Sequence, residues 1–198
     1  MLAIALVAAL GSALVSRGTG ADGRVPHGMG LARRKGTAEA SPARPLLATL
    51  VQTHTDERVL LDAAGPSAAR FAALLADRVT GSSHEMDGRL LDLLRRLAER
   101  HGDSGKAARI ELVSGFRSPK LNEMMRKKGH HVASHSQHSM GHAVDFRIVP
   151  PDAARGLDPR ELETEIRALG WDGGVGVYTQ EHDWFVHADV GPNRRWGG

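Results

Sequence analysis

The chain has 198 residues, enough for one domain with a hydrophobic core and an additional segment. It contains no cysteine, which excludes disulfides and a cysteine nucleophile, so any transition-metal site must use His, Asp or Glu. The formal charge of +3 is concentrated in residues 17–46, which net +4; this is typical of a solvated linker, and we expect no nucleic-acid binding.

The N-terminal part of the chain differs in character from the rest. Leu2–Val15 is an apolar run of the length of a signal-peptide hydrophobic region and shorter than a bilayer span. No Lys or Arg precedes it, so residues 1–16 are interpreted as either a signal peptide or an anchor that contacts the membrane. Residues 17–45 lack hydrophobic periodicity and predict a flexible linker. We expect an exported protein of the periplasm or cell envelope, with one folded domain over residues 46–198.

The first elements of this domain are predicted to be a hairpin and two helices. Leu46–Val51 and Arg58–Leu61 are short apolar runs around a polar turn, which favours a hairpin. Pro66–Val79 is predicted to be a helix. Met86–Arg100 is a stronger helix prediction, because its leucines follow the spacing i, i+3, i+4, i+7. Ile110–Phe116 then alternates as a strand.

The remaining elements are mostly short strands. Ser118 followed by Pro119 marks the start of a helix that runs to about Lys128. After it we predict a strand at Ala143–Ile148 and a helix at Pro159–Leu169. The last predicted elements are a pair of strands, Val175–Tyr178 and Trp184–Val190. Helices thus precede several short strands. The pattern predicts an α+β fold, with a small antiparallel sheet packed with helices.

The densest cluster of chemically active side chains is the segment SQHSMGHAVDF at residues 136–146. Asp145 lies in a predicted strand, His138 lies on the loop that precedes it, and Gly141 allows the chain to turn back between them. A loop imidazole and a strand carboxylate can therefore meet at one cation, and zinc accepts such ligands. His187, polar in an apolar strand, is the best third ligand, because an unpartnered buried imidazole is costly. Spacing alone leaves open that His138 is only a loop residue.

These residues also carry a family resemblance. Ser136-x-His138-x-x-Gly141-x-Ala143-x-Asp145 matches the SxHxxGxAxD signature of the zinc D-alanyl-D-alanine peptidases, within the lysostaphin/D-Ala-D-Ala/hedgehog-type fold group. SGFRSP at residues 114–119, with Asn122, resembles the family's SGYRS…N segment. GGVGVY at 173–178 and FVHADVGPNRRW at 185–196 look like segments of its YcbK/MepK-like murein endopeptidase branch. The likeness spans roughly Leu46 to Trp196.

The resemblance implies a zinc ion held by His138, Asp145 and His187, and a zinc-activated water that hydrolyses peptide bonds of peptidoglycan. Cleavage of crosslinks by a murein endopeptidase is the expected activity. A D,D-carboxypeptidase or dipeptidase of the same family is the nearest alternative, and a zinc-containing module that binds the cell wall without cutting it is another. Peptidoglycan peptides are the expected partners of what we expect to be a monomer.

Two further roles follow from the same resemblance. Arg117 falls where the family places an arginine beside the metal, to stabilise an oxyanion or bind a substrate carboxylate; a surface salt bridge is the alternative. Many relatives carry a general base two or three residues before the last ligand, where this chain has Phe185 and Trp184. We expect Asp189 to be the base and hold Asp183 as the second candidate; support of a ligand is the alternative role of Asp189.

The segment around the signature supplies three candidates for contact with substrate, which are Ser136, His135 and His142. Ser136 is also expected to bond locally and hold the loop, and neighbouring loop histidines often have no role. Trp196 is expected to cap the core. The glycines at 173, 174 and 176 are expected to permit close strand packing.

Overall fold

The computed structural model describes residues 45–102, 106–128 and 136–197. The predicted leader, the predicted linker up to residue 44, and His135 lie outside these ranges, so those interpretations stay predictions. Within the described ranges the chain forms seven β-strands and four α-helices. None of these helices is long and apolar enough to cross a bilayer.

The elements lie close to the predicted positions. The strands are β1 Ala48–Gln52, β2 Arg58–Leu61, β3 Ala108–Ser114, β4 Ala143–Val149, β5 Val175–Gln180, β6 Asp183–Asp189 and β7 Arg195–Gly197. The helices are α1 Ala68–Leu74, α2 Gly88–His101, α3 Pro119–Lys127 and α4 Pro159–Ala168. A short 3-10 turn, Gln137–Met140, precedes β4. Each predicted helix and strand is thereby confirmed, with ends shifted by a few residues for most of them.

The seven strands form one sheet in the order β2-β1-β3-β4-β6-β5-β7. The predicted hairpin β1–β2 and the pair β5–β6 are antiparallel, as expected. However, β1 pairs with β3 in parallel, and β5 pairs with β7 in parallel. The sheet is therefore larger than the small antiparallel sheet that was expected, and it is mixed: four strand pairs are antiparallel and two are parallel. The two helices between β2 and β3 carry the chain across to the other side of β1. There β3 runs opposite to β2 and therefore parallel to β1.

The hydrophobic core lies between the helices and one face of the sheet. Helix α2 turns its leucines inward, and Leu90, Leu94 and Leu97 are fully buried. They belong to the same apolar cluster as the alternate residues Phe146 and Ile148 of β4. Because side chains alternate along a strand, the intervening residues of β4 face the other side of the sheet. That second face carries the polar residues of interest.

The register of the strands places five residues of this second face in one row. Asp145 of β4 pairs with Ser114 of β3 on one side and with His187 of β6 on the other. His187 pairs with Gly176 of β5, which in turn pairs with Trp196 of β7. We call this the central row. It brings together residues that are up to 82 positions apart in the sequence.

Candidate metal centre

Three buried side chains converge at the middle of the central row. Asp145 Oδ1 lies 2.7 Å from His187 Nδ1 and 3.2 Å from His138 Nε2. The two imidazole nitrogens are 3.1 Å apart. Asp145 and His187 come from paired strands, and His138 comes from the 3-10 turn that leads into β4. One ligand atom from each residue can therefore reach a common ion.

The hydrogen bonds of His138 fix which of its nitrogens faces the cluster. Its Nδ1 lies 2.7 Å from the backbone carbonyl of Gly115. A carbonyl oxygen only accepts, so Nδ1 carries the hydrogen and donates it. In the neutral ring Nε2 then presents a lone pair to Asp145 and His187. Burial lowers the pKa of His138, more than the nearby Asp145 carboxylate raises it, which favours this neutral form.

His187 is held in the opposite tautomer. Its Nε2 lies 3.1 Å from Oδ2 of Asp189, a fully buried carboxylate, and donates its hydrogen there. Its Nδ1 consequently faces His138 and Asp145. Burial lowers the pKa of His187, but the hydrogen bonds with Asp145 and Asp189 outweigh burial, and the pKa is raised. A positive charge is thus favoured at the point where Nδ1 meets Asp145.

Asp145 supplies the negative charge of the cluster. Burial alone would raise its pKa, but the neighbouring His138 ring, the Arg117 guanidinium and the Nδ1 edge of His187 hold its pKa well below the usual range. The carboxylate is therefore ionised. Its Oδ1 faces the two histidines, while its Oδ2 forms a short ion pair with Nη2 of Arg117. The two oxygens are divided between the cluster and the arginine.

Arg117 reaches the cluster from the loop between β3 and α3. Its Nε donates to Ser114 Oγ at 3.0 Å, and its backbone N–H donates to the His138 carbonyl at 3.2 Å. Its side chain is 13% exposed, so the guanidinium borders the cluster without being sealed from solvent. Arginine is pre-organised for binding carboxylates and oxyanions, because its donors form a rigid fork.

The turn that carries His138 depends on a glycine. Gly141 ends the 3-10 turn with φ 71°, a left-handed conformation that side chains disfavour. A Cβ there would lie 1.9 Å from the backbone oxygen of Glu85, a contact that the structure could not accommodate without moving backbone. The glycine of the signature therefore allows the 82–87 loop to pack directly against the turn.

The donor set fits a zinc ion. Two imidazole nitrogens and one carboxylate oxygen are the ligand types of catalytic zinc sites, which leave a fourth position for water. One ligand atom of each residue lies within 4.8 Å of the other two, so that a single ion could contact all three. In addition, the second nitrogen of each histidine is already occupied by a protein acceptor, as is usual for metal-bound histidines.

The other residues singled out in the sequence fall into different places. Asp189 lies beside His187, on the side of the ring away from the cluster. Asp183 is exposed at the first residue of β6, four residues or about 13 Å of strand from His187. Ser136 is buried and its carbonyl accepts from Ser139, but its hydroxyl makes no capping bond to the turn. His142 is half-buried and directly precedes β4.

Sequence reasoning did not foresee the aromatic surroundings of the cluster. Trp196, expected to cap the core, lies instead on the second face, with its ring centroid 5.1 Å from that of His187. Tyr178 and Phe185 stack on the same face. Phe185 and His187 are two residues apart in one strand, a spacing that could have indicated a shared face. The place of Trp196 could not be found this way, because it depends on the parallel pairing of β7.

Comparison with known proteins identifies the family of the chain. The family model "Peptidoglycan L,D-endopeptidase MepK" of the peptidase M15 group matches residues 50–196. A probable peptidoglycan L,D-endopeptidase MepK of Haemophilus influenzae is 30% identical over 182 residues, which cover 89% of this chain and 92% of that protein. Peptidoglycan L,D-endopeptidase MepK of Escherichia coli K12 is 33% identical over 165 residues, covering 80% and 84%. The chain belongs to the MepK family of peptidases.

Among solved structures, the L-Ala D-Glu endopeptidase ChiX of Serratia marcescens matches with a TM-score of 0.35 and 18% sequence identity. That match covers 53% of this chain and 80% of ChiX.

Proposed function

We propose that this protein is a zinc-dependent peptidoglycan endopeptidase that cuts L,D-crosslinks, the bond type named for its relatives. The observation that carries the proposal is the arrangement of His138, Asp145 and His187. Three buried electron-pair donors converge within 4.8 Å of one another, and each histidine has its other nitrogen occupied by a protein acceptor. Such an arrangement could hold a metal cation, and family membership makes hydrolysis of a peptide bond the matching chemistry.

His138 Nε2, Asp145 Oδ1 and His187 Nδ1 would hold the zinc ion. When bound, the ion would supply a water of lowered pKa and would polarise the carbonyl of the scissile bond. Hydrogen bonds orient both rings in the absence of an ion: His138 donates to the carbonyl of Gly115, and His187 donates to the carboxylate of Asp189. This pre-organisation keeps the donors facing one point.

Arg117 is proposed to act on the substrate. Its guanidinium is anchored at one edge by Ser114 and Asp145 and is partly exposed beside the cluster. From that position it can donate to the oxygen of the scissile carbonyl as negative charge develops there, or to a substrate carboxylate. Its anchors leave it little freedom, so the donors are in place before substrate binds.

The geometry favours a positioning role for Asp189 over that of general base. Oδ1 accepts from the backbone N–H groups of Gly174 and Gly191, and Oδ2 accepts from His187 and lies 3.5 Å from Arg194. The carboxylate is therefore saturated, fully buried, and separated from the cluster by the His187 ring. A base must lie within hydrogen-bond reach of the proton it takes. Asp183 also falls short of this requirement, since it lies at the exposed start of β6.

A peptidoglycan substrate sets where the protein must act. Peptidoglycan lies outside the cytoplasmic membrane, so this function requires export, which is the role expected of the apolar segment Leu2–Val15. Whether that segment is cleaved or retained as an anchor does not alter the chemistry proposed for residues 46–198.

The proposal is tested by measuring bound zinc and the cleavage of crosslinked muropeptides by the purified full chain. We expect one zinc per chain and loss of an L,D-crosslinked dimer into two monomeric stem peptides. Arg117→Ala should retain zinc and lower kcat about 100-fold or more, because it removes a pre-organised donor. Arg100→Ala, which removes an exposed arginine from α2, should have no effect and serves as the matched control.

Three outcomes would contradict the proposal. If the purified chain holds no stoichiometric zinc at neutral pH, the proposed zinc dependence is wrong. Stoichiometric zinc with binding to muropeptides but no cleavage of any crosslink would favour the cell-wall binding module instead. Release of a terminal D-alanine, with crosslinks left intact, would assign the carboxypeptidase alternative.

A further inference from the structure

A second row of side chains lies next to the central row, on the same face of the sheet. Phe185 precedes His187 by two residues in β6, and Tyr178 follows Gly176 by two residues in β5. The register pairs Tyr178 with Phe185 directly. Their rings stack, with centroids 4.5 Å apart and an angle of 18° between the planes. Both side chains are half-buried, so part of the stacked pair is open to solvent.

Trp196 connects this stacked pair to the metal cluster. Its indole Nε1 donates to the hydroxyl of Tyr178 at 3.2 Å, and its ring lies 5.1 Å from that of His187. The indole can lie flat on the sheet because its cross-strand neighbour is Gly176; a Cβ there would be 2.6 Å from the indole ring. The three aromatic residues Trp196, Tyr178 and Phe185 therefore form one surface that begins beside a metal ligand. We call it the aromatic strip.

The distance from the cluster decides what can occupy the strip. Two residues of a strand span about 7 Å, so the Tyr178–Phe185 pair lies about 7 Å from the row of His187. An extended substrate chain also advances about 7 Å in two residues. A substrate that has its scissile bond at the cluster and runs along β6 towards Phe185 would place the residues one or two positions away from that bond over the strip. Sugar rings of the glycan, attached at the far end of the stem peptide, fall outside this range.

We infer that the aromatic strip is the binding subsite for the stem peptide on one side of the scissile bond. This inference rests on the proposed function, since it takes the cluster as the place of cleavage. The flat faces of Tyr178 and Phe185 would contact the aliphatic parts of the peptide, and burial of that apolar surface would supply binding energy. The indole N–H of Trp196 is bonded to the Tyr178 hydroxyl, and the Arg194 guanidinium lies 5.1 Å from the Trp196 ring centroid. The stacked Tyr178–Phe185 pair therefore offers the apolar ring surface.

The test measures binding separately from hydrolysis. The full chain, with its metal removed by a chelator so that no cleavage occurs, is titrated with two probes: a glycan-free L,D-crosslinked peptide dimer, and glycan chains stripped of peptide. Phe185→Ala and Tyr178→Ala should each bind the peptide dimer about tenfold more weakly than the wild type. Tyr178→Phe, which keeps the ring, should bind within about twofold of the wild type. The glycan chains should not bind measurably.

Leu60→Ala provides the matched control, because Leu60 is a 64% exposed apolar residue of β2 at the other edge of the sheet. It should bind the dimer as the wild type does. Unchanged peptide binding in both alanine variants would overturn the inference, and so would binding of peptide-free glycan that depends on the same rings. If the variants lose peptide binding but the zinc-loaded wild type cleaves no crosslink, the proposed function fails and the subsite stands.

Discussion

Asp189 fixes the orientation of His187 although it lies on the side of the ring away from the His138–Asp145–His187 cluster. The carboxylate accepts the Nε2 hydrogen of His187 and is itself held by two backbone N–H groups. Burial raises its pKa, but the His187 hydrogen bond and the Gly191 N–H outweigh burial and lower the pKa. The group therefore stays ionised and fixes His187 with Nδ1 turned to the cluster. From the sequence, an acidic residue two positions after a candidate ligand is easily taken for a catalytic base. Only the structure shows on which side of the histidine ring its carboxylate lies.

Replacement of Asp189 by Asn is expected to weaken zinc binding. The amide no longer offers a charged acceptor to His187, so the ring loses both its fixed orientation and part of its basicity. We expect the zinc dissociation constant to rise roughly 10- to 100-fold, as is typical when the partner of a metal-bound histidine is removed. Competition with a chromophoric chelator measures this constant directly. At saturating zinc, most of the activity should return.

Asp183→Asn is the comparison variant, since Asp183 lies on the same strand but at its exposed end. It should leave zinc affinity and kcat unchanged. A result in which Asp189→Asn binds zinc normally and still loses activity at saturating zinc would return Asp189 to the role of general base.

At the scale of elements, Asp77 joins two loops that the site requires. It lies after α1, and its carboxylate accepts from the N–H groups of Val79 and Thr80 in its own loop and of Ser118 at the start of α3. Ser118 directly follows Arg117 and caps α3 by accepting from Leu121. Asp77 therefore ties the arginine's loop to the α1–α2 connection. Neither the sequence pattern nor the family signature indicated this residue.

Stability is expected to depend on pH through Asp77. Burial opposes ionisation, but its hydrogen bonds outweigh burial and lower its pKa from 3.8 to about 2. Because the folded-state pKa lies below the unfolded one, the stabilisation is present above pH 4 and is lost as pH falls from 4 to 2. Its size is about 2 kcal/mol. Urea unfolding of the metal-free protein should therefore show Asp77→Asn less stable by about 2 kcal/mol at pH 6.

The same comparison at pH 2 should give a smaller difference between Asp77→Asn and the wild type. Asp92→Asn is a suitable control, since Asp92 is an exposed residue of α2 whose side chain is 68% accessible. A difference that stayed constant between pH 6 and pH 2 would show that the carboxylate charge is not what stabilises the fold.

The elements that were predicted from the sequence depend on residues close together in the chain. The elements that were missed depend on contacts between residues far apart in the chain. Helix α2 and strand β4 carry their periodicity within ten or so residues, and both lie where it places them. β7 has only three residues, and it pairs in parallel with β5. The paired residues of the two strands are about twenty positions apart in the sequence. No local pattern encodes such a pairing. For the same reason the ligand candidates were found from motif and spacing, while the aromatic strip was not.

At the scale of the whole molecule, the proposed zinc ion would join parts of the chain that meet only in the folded state. His138 precedes β4, Asp145 lies in β4 and His187 lies in β6. An ion that binds only the folded chain stabilises it by about 4 kcal/mol at a thousandfold excess over the dissociation constant. For a domain of this size, that corresponds to roughly 10 °C in Tm. Thermal unfolding with zinc and with chelator should show this difference.

His138→Ala is expected to abolish the zinc-dependent shift in Tm, because two remaining ligands hold the ion poorly. His182→Ala should retain the full shift, since His182 is exposed in the turn between β5 and β6. Retention of the shift in both variants would place the stabilising ion elsewhere on the protein.

The direct cross-strand pairing of Asp145 with His187 has one more consequence, for assembly of the sheet. A slip of one residue between β4 and β6 would turn one of the two side chains into the apolar core and leave the other alone on the second face. Only correctly aligned strands would present both residues to the proposed zinc ion. Zinc binding would therefore favour chains with aligned strands, because a misaligned chain would lack one of the three ligands.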